Sequence, residues 1–408
     1  MKLAVIYQGE SVGELCTGAD GLPVFTYALS FIRQGLELSP LNLPLAEVPY
    51  VIRNPALRNL PGLIYDCLPD AYGIMALRER LLRANLGDAG RGPLALLSLV
   101  GNNAIGALEF RPMVEDSRSE QFLSITQALV EAKRFGDAVD RSKIGRAFLQ
   151  SAGNAGGQHP KATGYWDAQT EKLHLGTSAA SDAWLPVIVK LDLENTAPVN
   201  VVEHIYMRMA EASGIEIANT WLLRNPQGAH LIAQRFDRTP LGAKLHQHSF
   251  AGMAHLDFHQ RGHRYEQLLT TVLRVCSSRS ELIEAYRRAV FNVLAHNHDD
   301  HAKNISFTMS EDGRFRLTPA YDLVFTETED GAGHWMTING QSEYIGRSDL
   351  VRMGEKFNFK PREIAAILGE VSEGVAAFER FAKEARLGPG WTLKIKQHLA
   401  VIRERMRT

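Results

Sequence analysis

Cysteine is scarce in this chain: Cys16, Cys67 and Cys276 are the only three in 408 residues, and they lie far apart, outside any CxxC or Cys/His spacing. That pattern argues against a disulfide framework or a structural zinc and fits a reducing cytoplasm. Net charge is missing too, since 45 Lys and Arg face 46 Asp and Glu. No global positive field therefore favours binding of DNA or an anionic membrane by the chain itself. No apolar run approaches the roughly 20 residues of a membrane-spanning helix, and the run from Met1 to Glu10 is too short for a signal peptide. The expectation is a soluble, intracellular protein without a membrane partner. A Walker GxxxxGK(S/T) loop, internal repeats and long low-complexity tracts are also absent. What remains is an ordinary globular composition, 45% hydrophobic, in a chain long enough for two or three folded units.

Pattern changes along the chain suggest where those units lie. Strand-like runs at Leu3 to Tyr7 and Ala107 to Arg111, with a helical stretch from about Asp70 to Asn85, predict an α/β unit over residues 1–111. Pro112 to Ser119 reads as a polar linker and Glu120 to Arg134 as a helix. Strands and turns then fill a second unit, 120–240, and a mainly helical third unit occupies 241–408. Gly242 to Arg264 carries five histidines (His246, His248, His255, His259, His263) and reads as a long mobile connection, its histidines scattered on the surface, with a metal site as the alternative. The basic tail from Lys394 to Arg407 reads as the solvated face of a terminal amphipathic helix.

Chemistry concentrates in His296-Asn297-His298-Asp299-Asp300-His301-Ala302-Lys303-Asn304, a polar loop between an apolar helical pattern and the strand-like run Ile305 to Met309. A second strand, Phe315 to Ala320, then delivers Tyr321-Asp322. An Asp that accepts the proton of a substrate hydroxyl, an Asn five residues on, and an Asp after a hairpin is the order that phosphoryl transfer uses in protein kinases. The same loop also reads as a transition-metal site of a phosphohydrolase, with imidazole and carboxylate ligands, or as a polar turn without chemistry.

Upstream residues bear on that choice. Trp184 to Leu191 is an apolar, β-branched run interrupted by Lys190, and Glu203 follows 13 residues later at the start of a helical pattern. A Lys190–Glu203 ion pair would aim the lysine at nucleotide phosphates. The alternative is a lysine at the solvent end of a strand and a first-turn glutamate favoured by the helix dipole. Before that strand, Ser151 to Thr163 contains three glycines whose backbone N–H groups can approach anionic oxygens closely.

Taken together, these motifs resemble the HipA family of serine/threonine kinase toxins, over the full length of the chain. Val12-Gly13-Glu14-Leu15, Leu41-Asn42-Leu43-Pro44-Leu45, Leu68-Pro69-Asp70 and Asn103-Ala104-Ile105-Gly106-Ala107-Leu108 are similar to the family's VGxL, LSLPL, NLLPD and D/N-x-x-GAL landmarks. Gly156 to Lys161 resembles the GGxxPK loop, Arg235 to Arg238 the ERFDR segment, Asp299 to Asn304 the DDHxKN loop, and Leu317 to Leu323 the LxPxYD segment.

The resemblance implies an α+β, protein-kinase-like two-lobed fold with an additional N-terminal α/β subdomain and a mainly helical C-terminal lobe. It implies Asp299 as catalytic base, Asn304 and Asp322 as Mg²⁺ ligands, and Lys190 as the nucleotide-phosphate lysine. Ala155, Gly156, Gly157, Gln158, His159 and Lys161 would form the phosphate loop, and Gln234, Arg235 and Phe236 the hinge that meets adenine through backbone groups. His301, Lys303 and Tyr321 would complete the ATP and Mg²⁺ site. Implied partners are a protein substrate, an aminoacyl-tRNA synthetase in characterised members, and a small helix-turn-helix antitoxin through which DNA is met indirectly. A catalytically silent binding module with the same fold is the alternative. One departure stands out. Asn154 occupies the position where many members carry an autophosphorylated serine, so inhibition by loop phosphorylation is expected to be absent or moved to Ser151.

Overall fold

The computed structural model describes residues 1–83, 92–113, 123–136, 144–153, 160–176, 184–193, 197–239, 242–327 and 333–407. The chain opens with β1 (Lys2–Tyr7), β2 (Glu10–Thr17) and β3 (Pro23–Tyr27), an antiparallel meander. Then follow α1 (Leu29–Gln34), α2 (Gly62–Tyr65), α3 (Ala71–Arg83) and α4 (Pro93–Val100), and β4 (Leu108–Arg111) returns to pair with β1, giving the order β3-β2-β1-β4. Alternation in β1 buries Leu3 and Val5, as expected of a sheet with one covered face. Gly13 in β2 has no room for a side chain, because a Cβ there would lie 2.3 Å from the Thr26 carbonyl oxygen.

The second unit begins with α5 (Ile125–Gly136). It starts later than the sequence pattern suggests because Ser124 and Gln127 form a capping box: the Ser124 hydroxyl accepts from Gln127 N at 3.3 Å, and Gln127 Oε1 accepts from Ser124 N at 2.9 Å. Next come α6 (Arg146–Ala152), β5 (Lys161–Asp167), β6 (Lys172–Leu175), β7 (Leu185–Lys190), α7 (Val199–Ala212), β8 (Thr220–Asn225) and β9 (Gly228–Gln234). The strands form one antiparallel sheet, β6-β5-β7-β9-β8. Its core holds Phe135, Phe148, Trp166, Val187, Val189 and Ile232, and α3 of the first unit inserts Tyr72 and Ala76 into it. The register sets Lys161 directly opposite Lys190. Directly opposed residues share a face, so two ammonium groups meet at the end of this sheet.

The third unit contains β10 (His246–Ser249), α8 (Phe250–Met253), β11 (His263–Arg264), α9 (Tyr265–Val275), α10 (Arg279–Leu294), β12 (Ser306–Met309), β13 (Phe315–Leu317) and β14 (Met336–Thr337). It closes with α11 (Arg347–Lys356), α12 (Pro361–Ala376), α13 (Phe378–Glu384) and α14 (Pro389–Arg405). On α14, Lys394 and His398 pair with Glu327, and Lys396 pairs with Glu379. The second expected strand stops at Leu317, shortly before Pro319, whose missing N–H cannot extend a ladder.

The Gly242 to Arg264 reading needs correction. His246 and His248 lie in β10, which pairs with β12, and both are fully buried. His248 Nδ1 meets Asp66 at 2.6 Å and its Nε2 meets the Ser39 hydroxyl at 3.0 Å, while Ser249 N and Oγ donate to the same carboxylate, each at 2.7 Å. A serine, a histidine and an aspartate thus stand in line, but Ser39 and His248 have no exposed surface and no substrate reaches them. The line fastens the first unit to the third. The whole is an α+β, two-lobed kinase-like fold: a five-stranded sheet lobe, a mainly helical lobe, and an N-terminal unit against both.

Candidate active site

The polar loop is presented by α10. Ser278 caps that helix by accepting from Glu281 N, and Leu282, Ala285, Tyr286, Ala289, Val290 and Val293 bury its inner face. The two adjacent aspartates then separate in role. Asp300 is buried and accepts from the Tyr265 hydroxyl at 2.7 Å and from Trp335 N at 2.8 Å, with His334 Nδ1 at 2.9 Å. Met336 N donates to it as well, at 3.3 Å, and four lone-pair positions so engaged leave nothing for a substrate. The Asp299 carboxylate is 39% exposed, with His301 Nε2 4.0 Å away. Partial burial raises its pKa, His301 opposes that, and the neighbouring charges of Asp322 and Asp300 add to it. Asn304 closes the loop by donating from Nδ2 to the Asp299 carbonyl oxygen at 2.9 Å; with the amide in that orientation, Oδ1 is left as an oxygen donor.

Lys190 stands at the end of β7 and Glu203 in the first turns of α7, and the ammonium donates to both carboxylate oxygens of Glu203, at 2.8 and 2.7 Å. It also pairs with Asp322. Burial opposes the Lys190 charge, but Asp322 and Glu203 outweigh it and hold the pKa above the ordinary lysine value. The Asp322 carboxyl, against the effect of burial, is held well below the usual range by Lys190 and Lys161. Asp322 has φ +57°, a left-handed conformation that Asp tolerates better than most residues. Lys161 is 5% exposed, and burial, then repulsion from Lys190, push it down to about 8.

The remaining sequence-derived residues divide. Ala155, Gly156, Gly157, Gln158 and His159 lie outside the described residues, as does Asn154. Ser151 lies in α6, fully buried, donating to the Phe148 carbonyl oxygen at 2.9 Å; in this conformation it is closed to phosphorylation. Gln234 N donates to Asn219 O and Arg235 N to Pro186 O, at 2.8 and 2.9 Å. The Arg235 guanidinium grips Asp237, at 2.9 and 2.7 Å. Phe236 packs on Tyr321, ring centroids 5.4 Å apart. The Tyr321 hydroxyl donates to Lys303 O and meets the Ser306 hydroxyl, both at 2.7 Å. The Lys303 ammonium pairs with Asp70 and lies 4.7 Å from the Phe258 ring centroid. Tyr321 and Lys303 thus meet protein groups of the loop, of β12 and of the N-terminal unit. Sequence reasoning met Asp70 only as part of a landmark, without its link to Lys303, and missed Tyr265 and His334; only folding brings the three to the loop.

The rival metal reading finds no geometry among the described residues, where no three His, Cys, Asp or Glu side chains converge as ligands. The histidines of the loop instead pack against other rings: His296 stacks on His298 with ring centroids 3.9 Å apart, His298 lies 4.4 Å from His334, and His301 lies 5.6 Å from Phe258.

Comparisons with known proteins agree on the family. The family model of the HipA N-terminal domain matches residues 3–111, and that of the HipA-like C-terminal domain matches residues 153–378. The "Putative kinase Y4dM" of Sinorhizobium fredii is 26% identical over 386 residues, spanning 87% of this chain and 85% of the relative. The serine/threonine-protein kinase toxin HipA of Shewanella oneidensis is 24% identical over 321 residues, spanning 73% of this chain and 69% of that one. A solved complex of Shewanella oneidensis HipA with HipB and operator DNA superposes with a TM-score of 0.73 at 18% identity, covering 99% of this chain and 97% of that one. No helix among the described residues is long and apolar enough to cross a membrane. With a C-terminal domain match that spans more than half of its length, the chain belongs to the HipA family.

Proposed function

We propose that the chain is an Mg-ATP-dependent serine/threonine protein kinase that transfers the γ-phosphate to a protein hydroxyl. The observation that carries this is Lys190 clamped between Glu203 and Asp322, beside an outward-facing Asp299. Asp299 accepts the proton of the acceptor hydroxyl as its oxygen attacks the γ-phosphorus and ADP leaves. Lys190, held charged and aimed by Glu203, holds the nucleotide phosphates, with Lys161 beside it. Asp322 and Asn304 Oδ1 are hard oxygen donors of the kind Mg²⁺ takes, so the donor set fits the metal. When bound, Mg²⁺ neutralises charge on the phosphoryl group in flight. Phe236 and the backbone after Gln234 line the adenine side. Lys303 and Tyr321 act on the loop. The protein substrate by family resemblance is an aminoacyl-tRNA synthetase, and the partner a small DNA-binding antitoxin, as HipB accompanies HipA in the Shewanella complex.

The test is transfer of labelled γ-phosphate from Mg-ATP into a cell lysate, with labelled proteins resolved by mass. A discrete labelled band is the expected result and names the target. No label, with ATP binding retained, would turn the case toward a catalytically silent module.

A second expectation follows from Lys161. A bound polyphosphate returns the charge that burial and Lys190 remove, so ATP binding takes up a fraction of a proton just above Lys161's lowered pKa, at about pH 8.5, and almost none near pH 7, where the amine is already protonated. Affinity for ATP accordingly falls as pH rises through about 8. Calorimetry in two buffers of different ionisation enthalpy measures the uptake, and Lys161→Gln is expected to abolish it.

A further inference from the structure

Kinase chemistry uses two lobes, yet here a helix of the N-terminal unit reaches both sides of the site. Asp70 precedes α3, and its carbonyl oxygen accepts the first-turn bond from Ile74 N at 2.8 Å. Its carboxylate pairs with Lys303, one residue before Asn304 and four after Asp299, and the two side chains are only 17% and 15% exposed. The Lys303 ammonium is walled by the rings of Phe258 and Tyr65, 4.7 and 5.6 Å from their centroids. Along its length, α3 supports the sheet lobe. Leu77 packs under Gly153, where a Cβ would lie 3.1 Å from Leu77 Cδ2, and Gly153 ends α6 at the entry to the glycine-rich segment. Arg83 donates to the Ile144 carbonyl oxygen at 2.8 Å, just before the same helix. One helix thus holds the entry of the glycine-rich segment along its face and the catalytic loop at its start.

We infer that Asp70 is a positioning residue for phosphoryl transfer, acting through Lys303 to fix the catalytic loop, so that the N-terminal unit is an integral part of the active centre. The inference rests on the kinase reading above. The Asp70 carboxylate and the rings of Phe258 and Tyr65 confine the Lys303 ammonium from several sides, and through the Lys303 backbone that restraint passes to Asp299 on one side and Asn304 on the other. The Lys303 carbonyl oxygen accepts from Tyr321, next to Asp322, so the metal-side aspartate is tied to the same point. A shift of about 1 Å in a positioned group costs on the order of 10²-fold in rate.

The test compares wild type, Asp70→Ala, Asp70→Glu and the double variant Asp70→Ala/Lys303→Met, in transfer assays normalised to folded protein. Asp70→Ala leaves a buried ammonium unpaired and is expected to lose stability as well as rate. The double variant removes that ammonium, and its thermal stability is expected to return toward wild type while kcat stays on the order of 10²-fold down and KM for ATP moves little. Asp70→Glu keeps the charge and is expected to recover much of the rate. Amide hydrogen exchange over 299–304 is read in parallel, with faster exchange expected in both alanine variants. A double variant with wild-type kcat and unchanged exchange would overturn the inference. If wild type itself transfers no phosphate, the kinase reading fails, and the exchange data alone then judge whether Asp70 holds the loop: unchanged exchange overturns that role, faster exchange sustains it.

Discussion

Asp299→Asn is expected to lower phosphoryl transfer by about 10²–10⁴-fold while leaving ATP affinity nearly unchanged. Asparagine keeps the shape and the Asp299 carbonyl that Asn304 holds, so what is lost is the proton acceptor. Because no part of the nucleotide is assigned to this side chain, the loss belongs in kcat and not in KM for ATP. The substitution also has an expected stability signature. Partial burial and the nearby Asp322 and Asp300 carboxylates raise the Asp299 pKa in spite of His301. An acid raised above its unfolded value favours the folded state below that value and loses this contribution as pH rises through the folded pKa, so at neutral pH the ionised carboxylate works against folding. The variant should therefore unfold at an equal or higher temperature than wild type near pH 7, with the gap closing as pH falls. A slow and stable enzyme marks a site group, whereas a slow and unstable one marks a structural residue. Steady-state transfer rates and thermal unfolding on the same preparation check both, and wild-type turnover in Asp299→Asn would remove Asp299 from the mechanism.

The sequence disclosed those parts of the site whose chemistry is local. Lys190 and Glu203 were legible as a candidate pair, beside the reading of a solvent-end lysine and a first-turn glutamate, because a charge inside an apolar strand calls for a partner or a place at the strand's mouth. Asp299 and Asn304 stand five residues apart in one loop. What could not be read is what long-range folding supplies. Nothing in Asp299-Asp300 says which aspartate is sequestered until Tyr265, His334 and Trp335 close on the second. His246 and His248, in a polar stretch, read as surface residues, but their strand pairs with β12 and their partners, Leu38 and Asp66, are some 200 positions away. Asp70 and Lys303 are 233 residues apart. The start of α5 was expected at Glu120 and lies at Ile125, because the capping pair of Ser124 and Gln127 went unrecognised in the sequence, and the hinge motif was legible as a resemblance but not as a structural knot.

That knot carries the largest expected loss of stability. Asp237→Ala is expected to destabilise the fold by about 3–5 kcal/mol, the range for removing one partner of a buried ion pair. The Asp237 carboxylate is almost fully buried and accepts two bonds from Arg235, one from Arg238 at 2.8 Å and one from Gly106 N at 2.8 Å. Arg238 also donates to the carbonyl oxygens of Gly106 and Ala104, so a segment after the sheet lobe is joined to the N-terminal unit at the Asn103 to Leu108 turn. Gly106, at φ +80° and with a Cβ position 3.2 Å from the Gln247 backbone, is held to glycine by the same close approach. Taking away the carboxylate strands two buried guanidinium groups, and neither can shed its proton cheaply. Burial alone would raise the Asp237 pKa, but Arg235 and Arg238 drive it far below the ordinary carboxylate range. For an acid so depressed, the stabilisation is fully present above its unfolded pKa of about 3.9 and is lost as pH falls below that toward the folded value. Denaturant unfolding of wild type and Asp237→Asn at neutral pH and near pH 3 separates charge from shape: the gap between them should be wide at neutral pH and narrower in acid. A gap below about 1 kcal/mol at neutral pH, the size of an exposed surface pair, would show that the two arginines are paired elsewhere and that this junction does not hold the N-terminal unit to the hinge.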